Sequence, residues 1–124
     1  KIAIVEDTPE ARRLIRRILQ SQGNFTIVEA TNGREGLEMI QRELPDLIIL
    51  DLMMPEMDGF QTLKNIRSNA NLSAIPIYAV TAKAMVGDKE IILKHGFNDY
   101  IPKPVSSSII SNKIAQLFSK IKSS

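Results

Sequence analysis

The sequence contains no cysteine among its 124 residues, and it contains a single histidine. Without cysteine the chain has neither a disulfide nor a thiolate zinc site. No apolar run approaches the roughly 18 residues that a membrane-spanning helix requires, and no signal-peptide pattern is present. The formal net charge of +2 is too small to indicate nucleic-acid binding. These absences favour a cytoplasmic protein that binds neither a membrane nor nucleic acid.

The length and pattern of the chain predict one domain that spans residues 1–124. Apolar runs of about five residues alternate with longer helical patterns, which indicates repeated βα units. Most of these runs are continuously apolar, as in strands that are buried on both faces of a parallel sheet. The predicted strands are Ile2–Val5, Phe25–Glu29, Leu47–Leu50, Ile77–Val80 and, with a weaker pattern, Asn98–Ile101.

Helical periodicity fills the segments between the predicted strands. Thr8 is the expected N-cap of the first helix, Pro9 its first residue, and Gly23 its end. The apolar face of this helix is expected to comprise Ala11, Leu14, Ile15, Ile18 and Leu19. The other helices are predicted at about Gly33–Glu43 (with Leu37, Ile40 and Leu44 facing inward), Asp58–Ser68, Ala84–Lys94 and Ser107–Ile121.

Five βα units predict a doubly wound, five-stranded parallel sheet in the order 2-1-3-4-5, an α/β fold of the flavodoxin type. The functional crevice of such a sheet lies beyond the carboxyl ends of the strands, where the strand order reverses. Glu6 and Asp7 follow the first predicted strand, and Asp51 follows the third. Three acids are therefore expected together at that crevice.

The side chains that follow the fourth and fifth predicted strands differ from the three acids in charge and in chemistry. Carboxylates that lie close together raise one another's pKa unless a cation joins them. Oxygen ligands without histidine or cysteine favour Mg²⁺, which keeps waters and often binds phosphate. Thr81 follows the fourth predicted strand and Lys103 the fifth, so a hydroxyl and a positive charge lie nearby. A carboxylate in this setting is suited to accept a phosphoryl group.

The ordered motifs Glu6-Asp7, Asp51 to Asp58-Gly59, Thr81-Ala82 and Lys103-Pro104 resemble the signature of bacterial two-component response-regulator receiver domains. The resemblance covers essentially the whole chain. Each motif is weak by itself, but the set is highly specific.

The resemblance implies a role for each matching residue and a phosphorylation-activated switch rather than an enzyme. Its donor would be a sensor histidine kinase or a histidine phosphotransfer protein. Phosphorylation would change the surface of helix 4, strand 5 and helix 5, which an unknown output partner or attached domain reads. The implied roles are Asp51 as phosphoacceptor; Glu6, Asp7, Asp51 and the Met53 carbonyl as Mg²⁺ ligands; Lys103, with a cis bond to Pro104, as phosphoryl contact; Thr81 as switch hydroxyl; and Tyr100 as switch aromatic.

Three other functions are weighed against this one. A Mg²⁺-dependent phosphohydrolase would need a general acid two residues after the nucleophile, where this chain has Met53. A flavodoxin-like cofactor binder would need a phosphate-cradling loop after strand 1, but Glu6-Asp7-Thr8-Pro9 is acidic. A binding module that is independent of phosphorylation would not need the acids at all.

Other residues of the sequence allow more than one interpretation. Arg12, Arg13, Arg16 and Arg17 form either a solvated helix face or a docking face for an acidic partner helix. In the family that the chain resembles, the positions of Met53 and Lys83 vary with the dephosphorylation rate, so the phosphoryl lifetime stays open.

Overall fold

The computed structural model describes residues 1–54, 57–82 and 86–123, with side chains described except at 86–87 and 118–123. Within these residues five strands alternate with five helices. The strands are β1 (Ile2–Val5), β2 (Ile27–Ala30), β3 (Leu47–Asp51), β4 (Ile77–Thr81) and β5 (Asp99–Pro102). The helices are α1 (Pro9–Gln22), α2 (Gly33–Glu43), α3 (Gly59–Arg67), α4 (Val86–Lys94) and α5 (Ser107–Ser123).

The strands form one parallel sheet in the order β2-β1-β3-β4-β5, which confirms the predicted doubly wound arrangement. Strand β1 pairs with β2 on one side and with β3 on the other, so Ile2 lies opposite both Ile27 and Leu47. The connections on the two sides of β1 therefore diverge, and a crevice opens at the carboxyl ends of β1 and β3.

Two apolar clusters hold the sheet between its helices. One contains residues of β1, β3 and β4 together with Met39, Leu63 and Ile92 from α2, α3 and α4. The other contains the alternate residues of the same strands together with residues such as Ile15 and Ile110 from α1 and α5. Strands β1, β3 and β4 are buried along their whole length, as their continuous apolar sequences predict.

Several predicted details of packing are wrong. Leu14 is 40% exposed and Leu44 is 57% exposed, although both were expected to face inward. Leu44 lies beyond the last turn of α2 in a left-handed conformation with φ of 47°, so the apolar face of the helix does not continue to it. Leu14 lies at the margin of the α1 face whose buried residues are Ile15, Ile18 and Leu19.

The ends of some elements also differ from the predictions. Thr8 precedes α1 in extended conformation, but its side chain makes no capping hydrogen bond. Strand β2 begins at Ile27 rather than Phe25, because its pairing with β1 begins there, while the Phe25 ring packs against the core outside the ladder. The predicted start of the fourth helix at Ala84 lies outside the described residues.

None of the described helices has both the length and the apolar character that a membrane span requires.

Candidate functional site

Asp51 is the last residue of β3, and its side chain is only 2% exposed. The following loop folds back over it, since the amide of Met53 donates to Oδ1 of Asp51 at 3.2 Å. Gly59 makes this turn possible: a Cβ at this position would lie 2.6 Å from the carbonyl oxygen of Asp51. The side chain of Met53, by contrast, is 74% exposed. The loop thus presents a buried carboxylate beneath a close backbone turn.

Glu6 and Asp7 follow β1 and meet Asp51 across the crevice. One carboxylate oxygen from each of the three residues lies within 4.8 Å of the others. Glu6 is almost fully buried, and its Oε2 has no hydrogen-bond partner among the described residues. A buried polar oxygen without a hydrogen-bond partner destabilises the folded protein unless another group contacts it.

Lys103 enters the same cluster from the end of β5. Its Nζ donates to Oε1 of Glu6 at 3.1 Å and to Oδ2 of Asp51 at 3.4 Å. Its amide donates to the carbonyl oxygen of Thr81 at 2.8 Å, which ties the ends of β4 and β5 together. Burial lowers the pKa of Lys103, but Glu6 and Asp51 raise it more, so it stays above its ordinary value. Lys103 is therefore a fixed positive charge shared between two buried acids.

The electrostatics of Glu6 show that one lysine does not balance the site. Burial, followed by the nearby Asp51 carboxylate, raises the pKa of Glu6 from 4.5 to about 8, although Lys103 acts to lower it. Among the described residues, the charge of Lys103 is therefore not enough to keep the pKa of Glu6 at its ordinary value.

The donor set fits a small divalent cation. Three carboxylates offer only oxygen, which Mg²⁺ prefers over nitrogen or sulfur. Among the described residues, Oε2 of Glu6 is the one buried side-chain polar atom without a hydrogen-bond partner, and a bound cation could contact it. Glu6, Asp7 and Asp51 are therefore the residues that could hold a metal.

The remaining predicted site residues border this cluster. Thr81 is the last residue of β4 and is 3% exposed. The Lys103–Pro104 peptide bond is cis, as expected. Tyr100 lies in β5, half-buried and opposite Ala79 of β4. The structure thus gathers Glu6, Asp7, Asp51, Thr81 and Lys103 at one edge of the sheet, with Tyr100 in the adjoining part of β5.

Some predictions at the site are not tested, and some contacts were missed. The structure records a contact through the Met53 amide, whereas the expected role of its carbonyl stays a prediction, and Lys83 lies outside the described residues.

Arg12, assigned to a solvated or partner-docking face, instead donates to the carbonyl oxygen of Glu6 at 2.9 Å. Sequence reasoning also missed Lys113, which pairs with Asp99 at 2.8 Å.

Comparison with known proteins gives a consistent result. The family model of the response regulator receiver domain matches residues 2–115. The polar-differentiation response regulator DivK of Brucella anthropi is 39% identical over 105 residues, which are 85% of each chain. The response regulator Rre1 of Synechocystis is 31% identical over 119 residues, and the match spans 93% of this chain but 52% of that protein.

A solved structure is also similar in detail. The receiver domain of a sensor histidine kinase from Pseudomonas aeruginosa has a TM-score of 0.83 and 31% identity, over 93% of both chains. That structure contains a magnesium ion coordinated in its active-site cleft.

Proposed function

The chain belongs to the response regulator receiver domain family, and from that premise we propose that it is a signalling switch activated by phosphorylation of Asp51. Receiver domains are signalling switches rather than conventional enzymes. The observation that carries the choice of residue is the position of Asp51 at the end of β3, buried, yet in contact with Lys103 at 3.4 Å. Among the three clustered acids, Asp51 alone lies on the central strand between β1 and β4.

The proposed reaction is transfer of a phosphoryl group from phosphohistidine. A carboxylate oxygen of Asp51 attacks the phosphorus, the bond between phosphorus and the imidazole nitrogen breaks, and the imidazole leaves with the electron pair. The positive charge of Lys103 then offsets charge on the phosphoryl oxygens. Its existing contact with Asp51 places that charge where it is needed before the donor arrives.

Glu6, Asp7 and Asp51 would hold Mg²⁺, with the Met53 carbonyl as a further ligand. When bound, the ion would supply positive charge that stabilises the transferring phosphoryl group. The magnesium in the similar Pseudomonas receiver domain supports this assignment. So does the buried, unpartnered oxygen of Glu6.

The switch itself is assigned to Thr81 and Tyr100. A phosphoryl group on Asp51 adds charge and strong acceptor oxygens at the end of β3. The Thr81 hydroxyl would move toward those oxygens, and Tyr100 would turn into the space that Thr81 leaves. The surface formed by α4, β5 and α5 would change, so that an output partner or attached domain binds one state better than the other.

The donor is proposed to be a histidine kinase or a histidine phosphotransfer protein of the cytoplasm. The phosphohydrolase alternative is disfavoured because Met53 offers no acidic side chain and its thioether side chain is exposed to solvent.

The direct test uses phosphoramidate, a small donor with a phosphorus–nitrogen bond, in the presence of Mg²⁺. We expect the protein to take up one acid-stable, base-labile phosphoryl group. Asp51→Asn should abolish the uptake, while Asp58→Asn, which changes an acid of the same loop but keeps the N-cap of α3, should leave it unchanged. Equal uptake by Asp51→Asn and wild type would refute the assignment, and turnover of p-nitrophenyl phosphate would favour the hydrolase.

A further inference from the structure

The ring of Tyr100 lies close to the ammonium groups of two lysines from different helices. Nζ of Lys113, on α5, is 5.1 Å from the ring centroid, and Nζ of Lys89, on α4, is 5.7 Å from it. Both distances fall within the range over which a cation is attracted to the face of an aromatic ring. One half-buried ring therefore contacts α4 and α5 at the same time.

Lys113 is the more firmly held of the two lysines. Its Nζ donates to Oδ1 of Asp99 at 2.8 Å, and the same oxygen accepts the amide hydrogen of Tyr100 at 2.8 Å. The side chains of Lys113 and Asp99 are 20% and 28% exposed, so solvent screens this pair only in part. The carbonyl of Lys113 also accepts a hydrogen bond from the buried Tyr78 hydroxyl at 3.4 Å. Lys113 is thus fixed at its backbone and at its charged end.

The ammonium group of Lys89 is held less firmly than that of Lys113. It is exposed, and within the part of the chain that the structure describes it forms no ion pair. Two ammonium groups around one ring repel each other, but Asp99 offsets the charge of Lys113. The ring and the carboxylate together make the arrangement favourable.

We propose that Lys113, anchored by Asp99, is a positioning residue that holds the Tyr100 side chain between α4 and α5. Lys89 is a second and weaker contact that joins α4 to the same ring. If Tyr100 rotates away, both ammonium groups lose the ring, and Lys89 loses its recorded link to β5. The side-chain rotamer of Tyr100 and the attachment of α4 are therefore coupled.

The consequence for signalling rests on the proposed function, in which Tyr100 turns inward upon phosphorylation. The two lysines then favour the resting position of the ring, so they set how much free energy activation must supply. Removal of the Lys113 charge should raise the population of the other rotamer by about two- to five-fold, the factor that one such contact is worth.

The test measures the χ1 populations of Tyr100 from three-bond couplings to its Cγ in isotope-labelled, unphosphorylated protein. Lys113→Gln removes the charge but keeps a polar side chain of similar length, whereas Lys113→Arg keeps the charge. We expect rotamer averaging in Lys113→Gln, the wild-type couplings in Lys113→Arg, and a smaller change in Lys89→Gln. Asp99→Asn, which keeps an acceptor oxygen but removes the negative charge of the anchor, should shift the couplings in the same direction as Lys113→Gln.

Wild-type couplings in Lys113→Gln would overturn the proposal. Equal averaging in the Gln and Arg variants would also overturn it, because shape rather than charge would then position the ring. If Lys113→Gln did not fold, as judged by circular dichroism, Lys89→Gln and Asp99→Asn would decide by the same couplings.

A second measurement separates this proposal from the proposed function. Titration with beryllofluoride and Mg²⁺ should reach half-activation at about two- to five-fold lower concentration in Lys113→Gln than in wild type. If wild type did not respond to beryllofluoride, the proposed function would fail, while the couplings of the unliganded protein would still test the role of Lys113.

Discussion

Lys103 and Glu6 are 97 residues apart in sequence, and Nζ of one lies 3.1 Å from Oε1 of the other. The contact joins the ends of β1 and β5, which are not neighbours in the sheet. The strands between them contribute Asp51, which accepts from the same ammonium group, and Thr81, whose carbonyl accepts from the Lys103 amide. The candidate site is therefore a cluster that no local segment of the chain could form alone.

Lys103→Ala should reduce the initial rate of phosphoryl uptake from phosphoramidate by about a hundred-fold, the usual effect of removing one positioned donor. The reason is that the developing charge on the phosphoryl oxygens would lose the ammonium group of Lys103, which alone among the described residues pairs with Asp51. Lys103→Arg, which keeps the charge with a different shape, should retain more activity than Lys103→Ala. An alanine variant as fast as wild type would show that Lys103 only neutralises the buried acids.

The pH dependence of stability should reveal the proton on Glu6. Burial and Asp51 raise the pKa of Glu6 from 4.5 to about 8, so the folded state retains a proton that the unfolded chain releases. The stabilisation from this group is complete below the unfolded pKa and is lost as the pH rises through the folded pKa. Without Mg²⁺, the free energy of unfolding of wild type relative to Glu6→Gln should thus fall between about pH 5 and pH 8.

Urea denaturation at several pH values in the presence of a chelator measures this difference. Added Mg²⁺ should stabilise wild type more at high pH than at low pH, because ionised carboxylates bind it better. Parallel pH profiles for wild type and Glu6→Gln would contradict the raised pKa.

Gly59→Ala should destabilise the protein by about 1–3 kcal/mol, as overpacking in a close contact does. The new Cβ would lie 2.6 Å from the Asp51 carbonyl oxygen and 2.7 Å from the Cα of Leu52, and backbone atoms cannot yield cheaply. Gly23→Ala is the matched control, because its nearest neighbour is the Phe25 ring at 3.5 Å.

Urea unfolding should therefore separate the two glycine variants, with Gly23→Ala within about 0.5 kcal/mol of wild type. If both substitutions were equally mild, the β3–α3 turn would be more adaptable than its contacts indicate.

The sheet order and the gathering of the acids could be predicted because both depend on simple patterns. The continuous apolar runs that end at Val5 and Leu50 are each followed by an acid. Such runs specify buried strands with charged residues at their carboxyl ends. Alternation of strands and helices then restricts the topology to a few arrangements.

Details that depend on neighbouring elements could not be predicted. Periodicity shows that Leu14 shares a helix side with Ile15 and Ile18, but not how far the adjacent elements extend over that side. The conformation that turns Leu44 outward lies beyond the last turn of α2, where helical periodicity ceases to apply. Thr8 has the sequence of an N-cap, yet the loop after β1 does not bring its hydroxyl to a free amide.

The charged contacts that the sequence did not predict also depend on how neighbouring elements pack. Arg12 reaches the Glu6 carbonyl only because α1 returns along β1, and Lys113 reaches Asp99 only because α5 packs beside β5. Neither pair has a distinctive spacing in the sequence. A folded structure is needed to show which arginine or lysine of a charged helix is committed to such a contact.

Reductive trapping of the phosphorylated residue tests the central claim most directly. Borohydride reduces an aspartyl phosphate to homoserine, so mass spectrometry of peptides from phosphoramidate-treated, reduced protein identifies the acceptor. We predict homoserine at position 51 only after phosphoramidate treatment, and none in Asp51→Asn. Homoserine at Asp7 or Asp58 instead of position 51, in protein that has taken up phosphate, would contradict the account.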